Sequence, residues 1–286
     1  MPDKKPLTPT DADPLHLRAI RLALNGSYHF SKRLAGLWCY RVLARPPRKA
    51  LLPSEKNFLM TAQQKVFPVG IMNIQMYHWP GTGPKILLAH GWNSHSGRWQ
   101  ALASQLITLG YDVYALDAPA HGASFGGSFA VIHYGEALAK LADTIAPNII
   151  IGHSAGGMAT AYYLRHFPKI HHPDKLVLLS TPAELNHFME SFRKGIGIKK
   201  AVIEAMENSF TRRFGKSFDY FSIANFVQNL RIPGLIIHDQ EDDIAPVEGA
   251  YALAENWATS ELVITTGLGH SVQDEQVRKR ILDWLT

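Results

Sequence analysis

A serine, a group of acidic residues and a histidine follow three separate apolar runs of the chain, and together they could perform nucleophilic acyl transfer. Ser154 is the centre of Gly152-His153-Ser154-Ala155-Gly156, which comes directly after three isoleucines. A serine hydroxyl is a poor nucleophile at neutral pH, so it needs a base to accept its proton and a carboxylate to orient that base. Between a strand and a helix, G-x-S-x-G predicts a tight turn that pushes Oγ out at the helix N-terminus. We therefore predict that Ser154 is a nucleophile.

The histidine and the acidic residues come later in the chain, each after a further apolar run. His270 follows ELVITT in a glycine-flanked loop that lets an imidazole reach Ser154. The run GLIIH is followed by DQEDDIAP, and the residue types alone leave open which acidic side chain orients the histidine: Asp239, Glu241, Asp242 or Asp243. The turn itself fixes His153 beside the serine, so we expect a structural role for His153.

Acyl transfer also needs donors aimed at the negative charge that develops on the carbonyl oxygen, and these are normally backbone amides. We expect one donor to be the N–H of Ala155, directly after the serine. The second should come from the loop after KILLAHG, where Gly91 lets the backbone bend and Trp92 presents its N–H. His90 should support this loop through hydrogen bonds, and the Trp92 indole should form one wall of the acyl pocket.

Short apolar runs alternate with helical patterns from about Phe58 to the end of the chain, which requires a mostly parallel sheet with helices on both faces. The first two runs suggest a hairpin joined through PVG. Eight runs are predicted as strands: FLMTAQQKVF, IMNIQMYHW, KILLAHG, DVYALDAP, NIIIGHS, DKLVLLSTP, PGLIIHDQ and ELVITTG. Open parallel sheets bind ligands beyond the carboxyl ends of their strands, where Ser154, Asp242 and His270 fall.

The alternation is interrupted once, over residues 183–231, where the pattern is helical and no strand is predicted. An insertion of this length is too long for a plain loop, so we predict a small helical lid. The lid carries eight aromatic residues, of which we expect no more than a third to touch a ligand: Phe188, Phe192, Phe210, Phe214, Phe218, Tyr220, Phe221 and Phe226. The sheet and its helices should occupy residues 51–182 and 232–286.

The stretch LLAHGWNSHSGRWQALASQLITLGYDVYALDAPAHGASFG resembles the branch of the α/β-hydrolase superfamily that includes monoacylglycerol lipases and serine aminopeptidase-like hydrolases. That branch typically has His-Gly, His-Ser-x-Arg-Tyr, Gly-Tyr-x-Val and Asp-x-x-Gly-His-Gly-x-Ser. The corresponding segments here begin at His90, His95, Gly110 and Asp117. Trp99 replaces the Tyr and Ala120 replaces a Gly. The resemblance covers about residues 58–286.

The resemblance implies the α/β-hydrolase fold and its chain order of serine, acid and histidine. Such hydrolases often carry His-Gly-x-x-Asp-x-x-x-Pro, which here aligns Asp242 with the acid, with Asp243 as second choice and Asp239 replacing the Gly. Because all three triad positions are filled, we predict a metal- and cofactor-independent serine hydrolase acting on a small-molecule carboxylic ester. Because the lid is short and aromatic, we expect an acyl group of small to medium length, with substrate contacts at Trp92 and His95. Rival activities on the same residues are those of a serine aminopeptidase, a thioesterase or an acyltransferase. A non-catalytic ligand-binding protein is the rival from another class.

Positive charge is concentrated at the start of the chain. Residues 1–50 hold ten Lys and Arg against three Asp and Glu, so the remaining 19 basic and 21 acidic residues leave the body slightly acidic. We expect residues 1–50 to form a basic helical extension that packs on the main domain with its charges solvated. The alternative is an amphipathic anchor, over residues 15–50, resting on anionic lipid. The basic stretch has no recognised nucleic-acid motif, so we expect no nucleic-acid partner.

Cys39 is the single cysteine, so neither an internal disulfide nor a zinc site built on paired cysteines can form. The polar, Pro-rich beginning MPDKKPLTPTDADP lacks the basic-then-apolar pattern of a signal peptide. Both observations fit a cytoplasmic protein, and the membrane-anchor alternative would place it at a membrane surface. The sequence leaves the oligomeric state open.

Overall fold

A computed structural model describes residues 14–286, which form eight strands and eleven α-helices. Most of the Pro-rich beginning, from which we expect no signal peptide, lies outside the described residues. The strands are β1 Gln63–Val69, β2 Met72–Trp79, β3 Lys85–Ala89, β4 Asp112–Leu116, β5 Ile149–His153, β6 Lys175–Leu179, β7 Gly234–Asp239 and β8 Ser260–Thr265. The helices are α1 Leu15–Phe30, α2 Lys32–Ala44, α3 Pro53–Met60, α4 Gln100–Thr108, α5 Val131–Ile145, α6 Ala155–His166, α7 Leu185–Ile196, α8 Lys200–Phe214, α9 Ile223–Val227, α10 Glu248–Asn256 and α11 Glu275–Leu285.

The strands form one sheet in the order β1-β2-β4-β3-β5-β6-β7-β8. β1 and β2 are an antiparallel hairpin, and β2 also runs antiparallel to β4. All other neighbours are parallel, with Leu87 of β3 opposite Ile150 of β5. This confirms the predicted eight-stranded, mostly parallel sheet. Because the strands run parallel, β5, β7 and β8 end at the same edge of the sheet. Ser154, Asp242 and His270 follow these three strand ends.

The central strands are buried on both faces because successive side chains point to opposite sides of the sheet. Ile86 and Leu88 of β3 pack on one side, with helices α4 and α11. Leu87 and Ala89 of the same strand pack on the other side, with α5 and α6. The unbroken apolar runs of the sequence therefore reflect two cores that share one sheet.

The predicted first strand was wrong at its beginning, because residues 53–60 form α3 and β1 starts only at Gln63. Pro53 occupies the first turn of α3, where its missing N–H is not needed. The Glu55 carboxylate accepts a hydrogen bond from the Leu52 N–H at 2.7 Å and so caps the same turn. These local signals outweigh the apolar character of Phe58, which stacks on the Trp79 ring at 4.6 Å.

The segment between β6 and β7, predicted as a lid over residues 183–231, contains α7, α8 and α9. Its two ends are tied together, because the Ile223 N–H donates to the Ala183 carbonyl at 2.6 Å. Helix α8 lies against α2 so closely that a Cβ on Gly36 would stand 2.1 Å from the Ala205 carbonyl oxygen. The inserted helices thus pack on the N-terminal helices as well as on the sheet.

Helices α1 and α2 are joined at Ser31, whose hydroxyl accepts a hydrogen bond from the Leu34 N–H and caps α2. The Pro-Pro pair at residues 46–47 follows the end of α2 and prevents its continuation. One face of α2, including Cys39 and Leu43, is buried in the core. Over residues 14–286, no helix combines the length and apolar character needed to cross a bilayer.

Candidate active site

Ser154 lies between the end of β5 and the start of α6, in a backbone conformation that side chains rarely adopt. Its φ is 53° and its ψ is −122°. The surrounding structure holds this conformation, because the Ser154 N–H donates to the Leu179 carbonyl at 2.8 Å and its carbonyl accepts from the Met158 N–H at 3.1 Å. Strain of this kind costs about 1–3 kcal/mol and is characteristic of functional sites.

The glycines around the serine are required by close backbone contacts. A Cβ on Gly156 would lie 2.2 Å from the carbonyl oxygen of Ala89, and one on Gly152 would lie 2.7 Å from the Cα of Gly157. Both distances are far inside van der Waals contact. The glycines therefore let α6 start directly against β3 and β5, which places the hydroxyl at the carboxyl edge of the sheet.

The structure brings Ser154, His270 and Asp242 together in a hydrogen-bonded line. The Ser154 Oγ lies 2.9 Å from Nε2 of His270. Nδ1 of His270 lies 2.8 Å from Oδ2 and 3.0 Å from Oδ1 of Asp242, to which it donates because a carboxylate can only accept. Nε2 is then the free acceptor for the serine proton. This arrangement can deprotonate the hydroxyl and stabilise the resulting imidazolium.

Asp242 is buried and kept ionised by its hydrogen bonds. Burial raises the pKa of its carboxyl, but hydrogen bonds from His238 and His270, the charge of His270 and the N–H of Ala245 outweigh it and hold the pKa well below its usual range. Oδ1 accepts from the N–H groups of Ile244 and Ala245 at 2.9 and 2.8 Å. The carboxylate therefore stays negative at neutral pH.

The structure separates the four acidic candidates by position. Asp243 is exposed and makes no hydrogen bond to His270 within residues 14–286, and Glu241 is half-buried. Asp239, which replaces a glycine of the family pattern, has its own use: its Oδ2 accepts from the Leu268 N–H at 3.0 Å and from the Thr265 hydroxyl at 2.8 Å. Asp239 thereby anchors the loop that carries His270.

His153 holds the same loop from the other side. Its ring is buried, and Nε2 donates to the backbone carbonyl of His270 at 2.8 Å. Burial lowers the pKa of His153 well below its usual value, and the positive charges of Arg98 and His270 lower it further, so the ring is neutral. His153 acts on His270 through its backbone and not on the serine hydroxyl.

The backbone N–H groups of Ala155 and Trp92 have no hydrogen-bond partner among the residues described. Ala155 is the first residue of α6, so its N–H points out of the helix end. The loop carrying Trp92 lies against the serine, since a Cβ on Gly91 would be 2.9 Å from Cβ of Ser154. Unpaired amides in this position can stabilise a negatively charged oxygen.

Buried polar side chains hold the loop in place. His90 donates from Nδ1 to the Gly91 carbonyl at 2.7 Å and accepts at Nε2 from the Ala118 N–H at 2.9 Å. His121 accepts at Nε2 from the Asn93 N–H, one residue after Trp92, at 3.0 Å. Both imidazoles are buried and hydrogen-bonded, so their role is to hold the loop in place.

An apolar pocket opens beside the N-terminus of α6 and is almost filled, with about 30 Å³ free. It is lined by Ala155 and Met158 of α6, by residues 129–131 before and at the start of α5, and by residues of the inserted helices. Three of the eight aromatic residues in the insertion contribute: Phe188, Phe210 and Phe218. The Trp92 indole, which we expected to form one wall, is not among the lining residues. It packs edge-on against Phe188 and Phe192, at centroid distances of 6.2 and 5.9 Å.

Sequence reasoning missed the contribution of α2 to this pocket. Tyr40 and Leu43 line it, and the C-terminal carbonyls of α2 hold the neighbouring loops. The Trp92 indole N–H donates to the Leu43 carbonyl at 2.9 Å, and the Phe129 N–H donates to the Ala44 carbonyl at 2.8 Å. The available signal was the apolar spacing of Ala35, Cys39 and Leu43, which marks a face that must be buried.

His95, expected to contact substrate, lies elsewhere. Its ring is buried beside α3, where Nε2 is 3.8 Å from the Glu55 carboxylate, and it is not among the residues that line the apolar pocket. A 3₁₀ helix at Ser96–Trp99 begins directly after His95. Within the described part of the chain, no three His, Cys, Asp or Glu side chains are placed to hold a metal ion.

Known proteins resemble this chain in sequence and in fold. The sequence profile described as "Serine aminopeptidase, S33" matches residues 83–216. A monoacylglycerol lipase of Mycolicibacterium smegmatis is 25% identical over 251 residues, covering 72% of this chain and 89% of the lipase. The crystal structure of a putative lipase from Acinetobacter baumannii superposes with a TM-score of 0.62 at 20% identity, covering 84% of this chain and 98% of that one. The profile, the relatives and the fold together support the α/β-hydrolase superfamily for this chain.

The matched profile and relatives support the branch of monoacylglycerol lipases and S33-type proteins, as the resemblance implied. A pimeloyl-[acyl-carrier protein] methyl ester esterase of Chromobacterium violaceum is also similar, with 30% identity over 151 residues, 49% of this chain and 53% of that protein. The solved structure described above is similar at 20% identity and therefore supports the fold alone. The chemistry has to be argued from the geometry of the site.

Proposed function

We propose that this chain is a serine hydrolase that cleaves carboxylic esters through an acyl-enzyme intermediate. Ser154 Oγ attacks the ester carbonyl while its proton passes to Nε2 of His270, which then donates it to the departing alkoxide. The product alcohol leaves, and the acyl group stays on the serine. Water, deprotonated by the same Nε2, then attacks the acyl-serine and releases the carboxylic acid, which restores the hydroxyl.

The observation that carries this proposal is the hydrogen-bonded line from Ser154 Oγ to Nε2 and from Nδ1 to Asp242, at 2.9 and 2.8 Å. A structural serine at a strand end has no need of a positive φ, a buried carboxylate and a histidine in line. In this role Asp242 keeps Nδ1 protonated and stabilises the imidazolium while the tetrahedral intermediate exists.

The N–H groups of Ala155 and Trp92 would receive the oxyanion. Loss of one such donor typically lowers turnover by about 10²- to 10³-fold, so the orientation of the Trp92 loop matters for rate as much as for shape. Helix α2 contributes to that orientation through the Leu43 carbonyl that accepts the indole N–H. The N-terminal helices are therefore proposed to be part of the catalytic unit.

The apolar pocket supports acyl groups of small to medium length. Its walls are aliphatic and aromatic, and its small free volume of about 30 Å³ limits the acyl length that fits without movement of the walls. Each methylene buried there contributes about 0.8 kcal/mol until the walls must move. We expect kcat/KM to rise over the first few carbons and then to fall.

Ester hydrolysis is favoured over the rival activities by the names of the relatives, which include monoacylglycerol lipases, a methyl ester esterase and a bifunctional esterase/perhydrolase. The same three side chains could serve an aminopeptidase, a thioesterase or an acyltransferase, and one relative is a non-heme haloperoxidase. A non-catalytic binding protein would gain nothing from the unpaired amides beside an aligned serine.

The test is to incubate the full chain with a fluorophosphonate probe and to map the adduct. p-Nitrophenyl esters from acetate to laurate are then assayed beside an aminoacyl anilide and a thioester. The proposal expects labelling at Ser154, ester turnover, and loss of both in Ser154→Ala. Labelling with turnover of the anilide or thioester alone would favour a rival enzyme, and absence of labelling would favour the binding protein.

We propose in addition that α1 and α2 rest on an anionic membrane surface. α1 exposes Leu15, Leu22 and Phe30 at 81, 72 and 93%, at a spacing that places them along one stripe of the helix. The outer face of α2 adds Leu34 and Trp38, with exposed basic side chains beside them: Lys32, Arg33, Arg41 and Arg45. Apolar and cationic groups on one surface match an anionic bilayer interface.

Vesicle co-sedimentation of the full chain tests this contact. Phosphatidylglycerol vesicles should retain the wild type, and the double variant Leu22→Ser/Phe30→Ser should bind several-fold less. Ile71→Ser removes an equally exposed side chain, 80% accessible, from the β1–β2 turn and serves as the matched control. Equal sedimentation of all three proteins would exclude the membrane contact.

A further inference from the structure

A second cavity lies on the far side of Tyr40 from the apolar pocket. It has a volume of about 520 Å³ and is framed by α2, the β1–β2 turn, the loop before α5 and the end of α8. Its polar lining consists of Tyr40, Arg41, Arg45, Ser128, His133, Glu136 and Arg213. We call it the arginine cavity. Tyr40 lines both spaces, so the arginine cavity adjoins the pocket beside Ser154.

The three arginines have no carboxylate within ion-pair distance among residues 14–286. One carboxylate, Glu136, lines the cavity against these three guanidinium groups, so the cavity carries an excess of positive charge. The like charges that line this cavity from α2 and α8 repel each other. A bound anion would remove that repulsion.

Neutral polar groups of the cavity wall also offer hydrogen-bond donors. His133 donates from Nδ1 to the Ser128 carbonyl at 2.7 Å and so orders the wall beside two backbone donors. These are the N–H groups of Gly127 and Ser128, which have no partner in the described part of the chain. The Ser128 hydroxyl, nearly buried, lies 3.4 Å from the Tyr40 hydroxyl. These groups suit the oxygens of a phosphate or carboxylate.

Arg213 is partly ordered before any ligand arrives. Its guanidinium lies 5.9 Å from the ring centre of Tyr40 and 5.5 Å from that of Phe214, and the Phe214 ring in turn packs edge-on with the His133 imidazole at 5.3 Å. Cation–π contacts of this kind favour one position of a side chain that is exposed to solvent. A cation held in place at a concave surface loses less entropy when it binds an anion.

We propose that the arginine cavity binds an anionic group, a phosphate or a carboxylate, through Arg41, Arg45 and Arg213. The anion comes either from free solution, as part of a small ligand, or from the headgroup of an anionic lipid. The site does not depend on Ser154 acting as a nucleophile, and binding to it is measured without turnover.

Binding is measured by calorimetric titration of the full chain with inorganic phosphate at low ionic strength, where screening is weak. Arg213→Gln removes one charged donor and should raise the Kd for phosphate about tenfold or more. Arg212→Gln changes the neighbouring, exposed arginine, which does not line the cavity, and should leave the Kd unchanged. Arg41→Gln gives a second, independent loss from another helix.

Two further arms identify the source of the anion and separate this proposal from the proposed enzyme activity. The retention of wild type and of Arg213→Gln is measured on phosphatidylcholine vesicles with and without phosphatidic acid. If retention requires phosphatidic acid and Arg213→Gln weakens it, the anion is a lipid headgroup. Phosphate binding without such retention identifies a soluble ligand. Ser154→Ala should bind phosphate as the wild type does. The absence of phosphate binding by the wild type, or equal Kd values for Arg213→Gln and Arg212→Gln, would overturn the proposal.

Discussion

Leu43→Ala should shift the acyl preference of the protein towards longer chains. Leu43 lines the apolar pocket beside Ala155, and the substitution removes three carbon atoms from a wall that leaves about 30 Å³ free. Room for two further methylenes, at about 0.8 kcal/mol each, would raise kcat/KM for an octanoate ester relative to a butyrate ester by about fifteenfold. The backbone carbonyl that accepts the Trp92 indole N–H is unchanged.

The same substitution also costs stability, since truncation of a buried leucine typically lowers the free energy of unfolding by about 2–5 kcal/mol. Turnover of p-nitrophenyl esters from acetate to laurate is therefore measured well below the melting temperature of the variant, with circular dichroism on the same sample. Leu43→Met keeps the volume and should keep the wild-type profile. Leu109→Ala truncates an exposed leucine at the end of α4 and controls for the mutation itself. An unchanged ratio of octanoate to butyrate in folded Leu43→Ala would refute the assignment of the pocket.

Three further predictions concern Asp242, Ala120 and Cys39. Asp242→Asn should lower kcat for esters by about 10⁴-fold. Because the folded-state pKa of Asp242 is depressed, its stabilisation is present above the unfolded pKa of about 3.9 and is lost as pH falls below it, so the gap in urea stability between wild type and variant should shrink from pH 6 to pH 3; a constant gap would contradict this. Ala120→Gly should raise the free energy of unfolding in urea by up to about 1 kcal/mol. Ala120 has a φ of 63°, where a side chain costs about 1–2 kcal/mol, and the greater freedom of glycine in the unfolded chain offsets part of this gain. A loss of stability would argue against strain. Burial raises the pKa of the Cys39 thiol to about 12, so Ellman's reagent at pH 8 should detect no thiol in the native chain and one after unfolding. The contribution of the buried thiol to stability is complete below the unfolded thiol pKa of about 8.5 and declines at higher pH. Rapid labelling of the native chain would mean that α2 detaches from the core.

The sequence predicted most of the sheet and the neighbourhood of Ser154, because these depend on local patterns. Apolar runs at strand length, glycines around a serine and a glycine-flanked histidine each leave a mark within a few residues. The beginning of β1 was missed for a local reason, since Pro53 and the Glu55 cap favour a helix over residues 53–60. Among the four acidic residues after β7, the sequence alone could not choose, and resemblance to the family pointed to Asp242.

The sequence by itself determined which elements exist and that a serine, an acid and a histidine follow strands of one sheet. Only the tertiary structure decided which carboxylate faces His270 and that Asp239 and His153 hold the loop of His270. It also decided that Tyr40 and Leu43 of α2, more than a hundred residues before Ser154 in the chain, line the apolar pocket. The reason is physical: hydrogen-bond partners and pocket walls are set by how distant segments pack, and a one-dimensional pattern carries the periodicity of each segment but not the neighbour against which its buried face will rest.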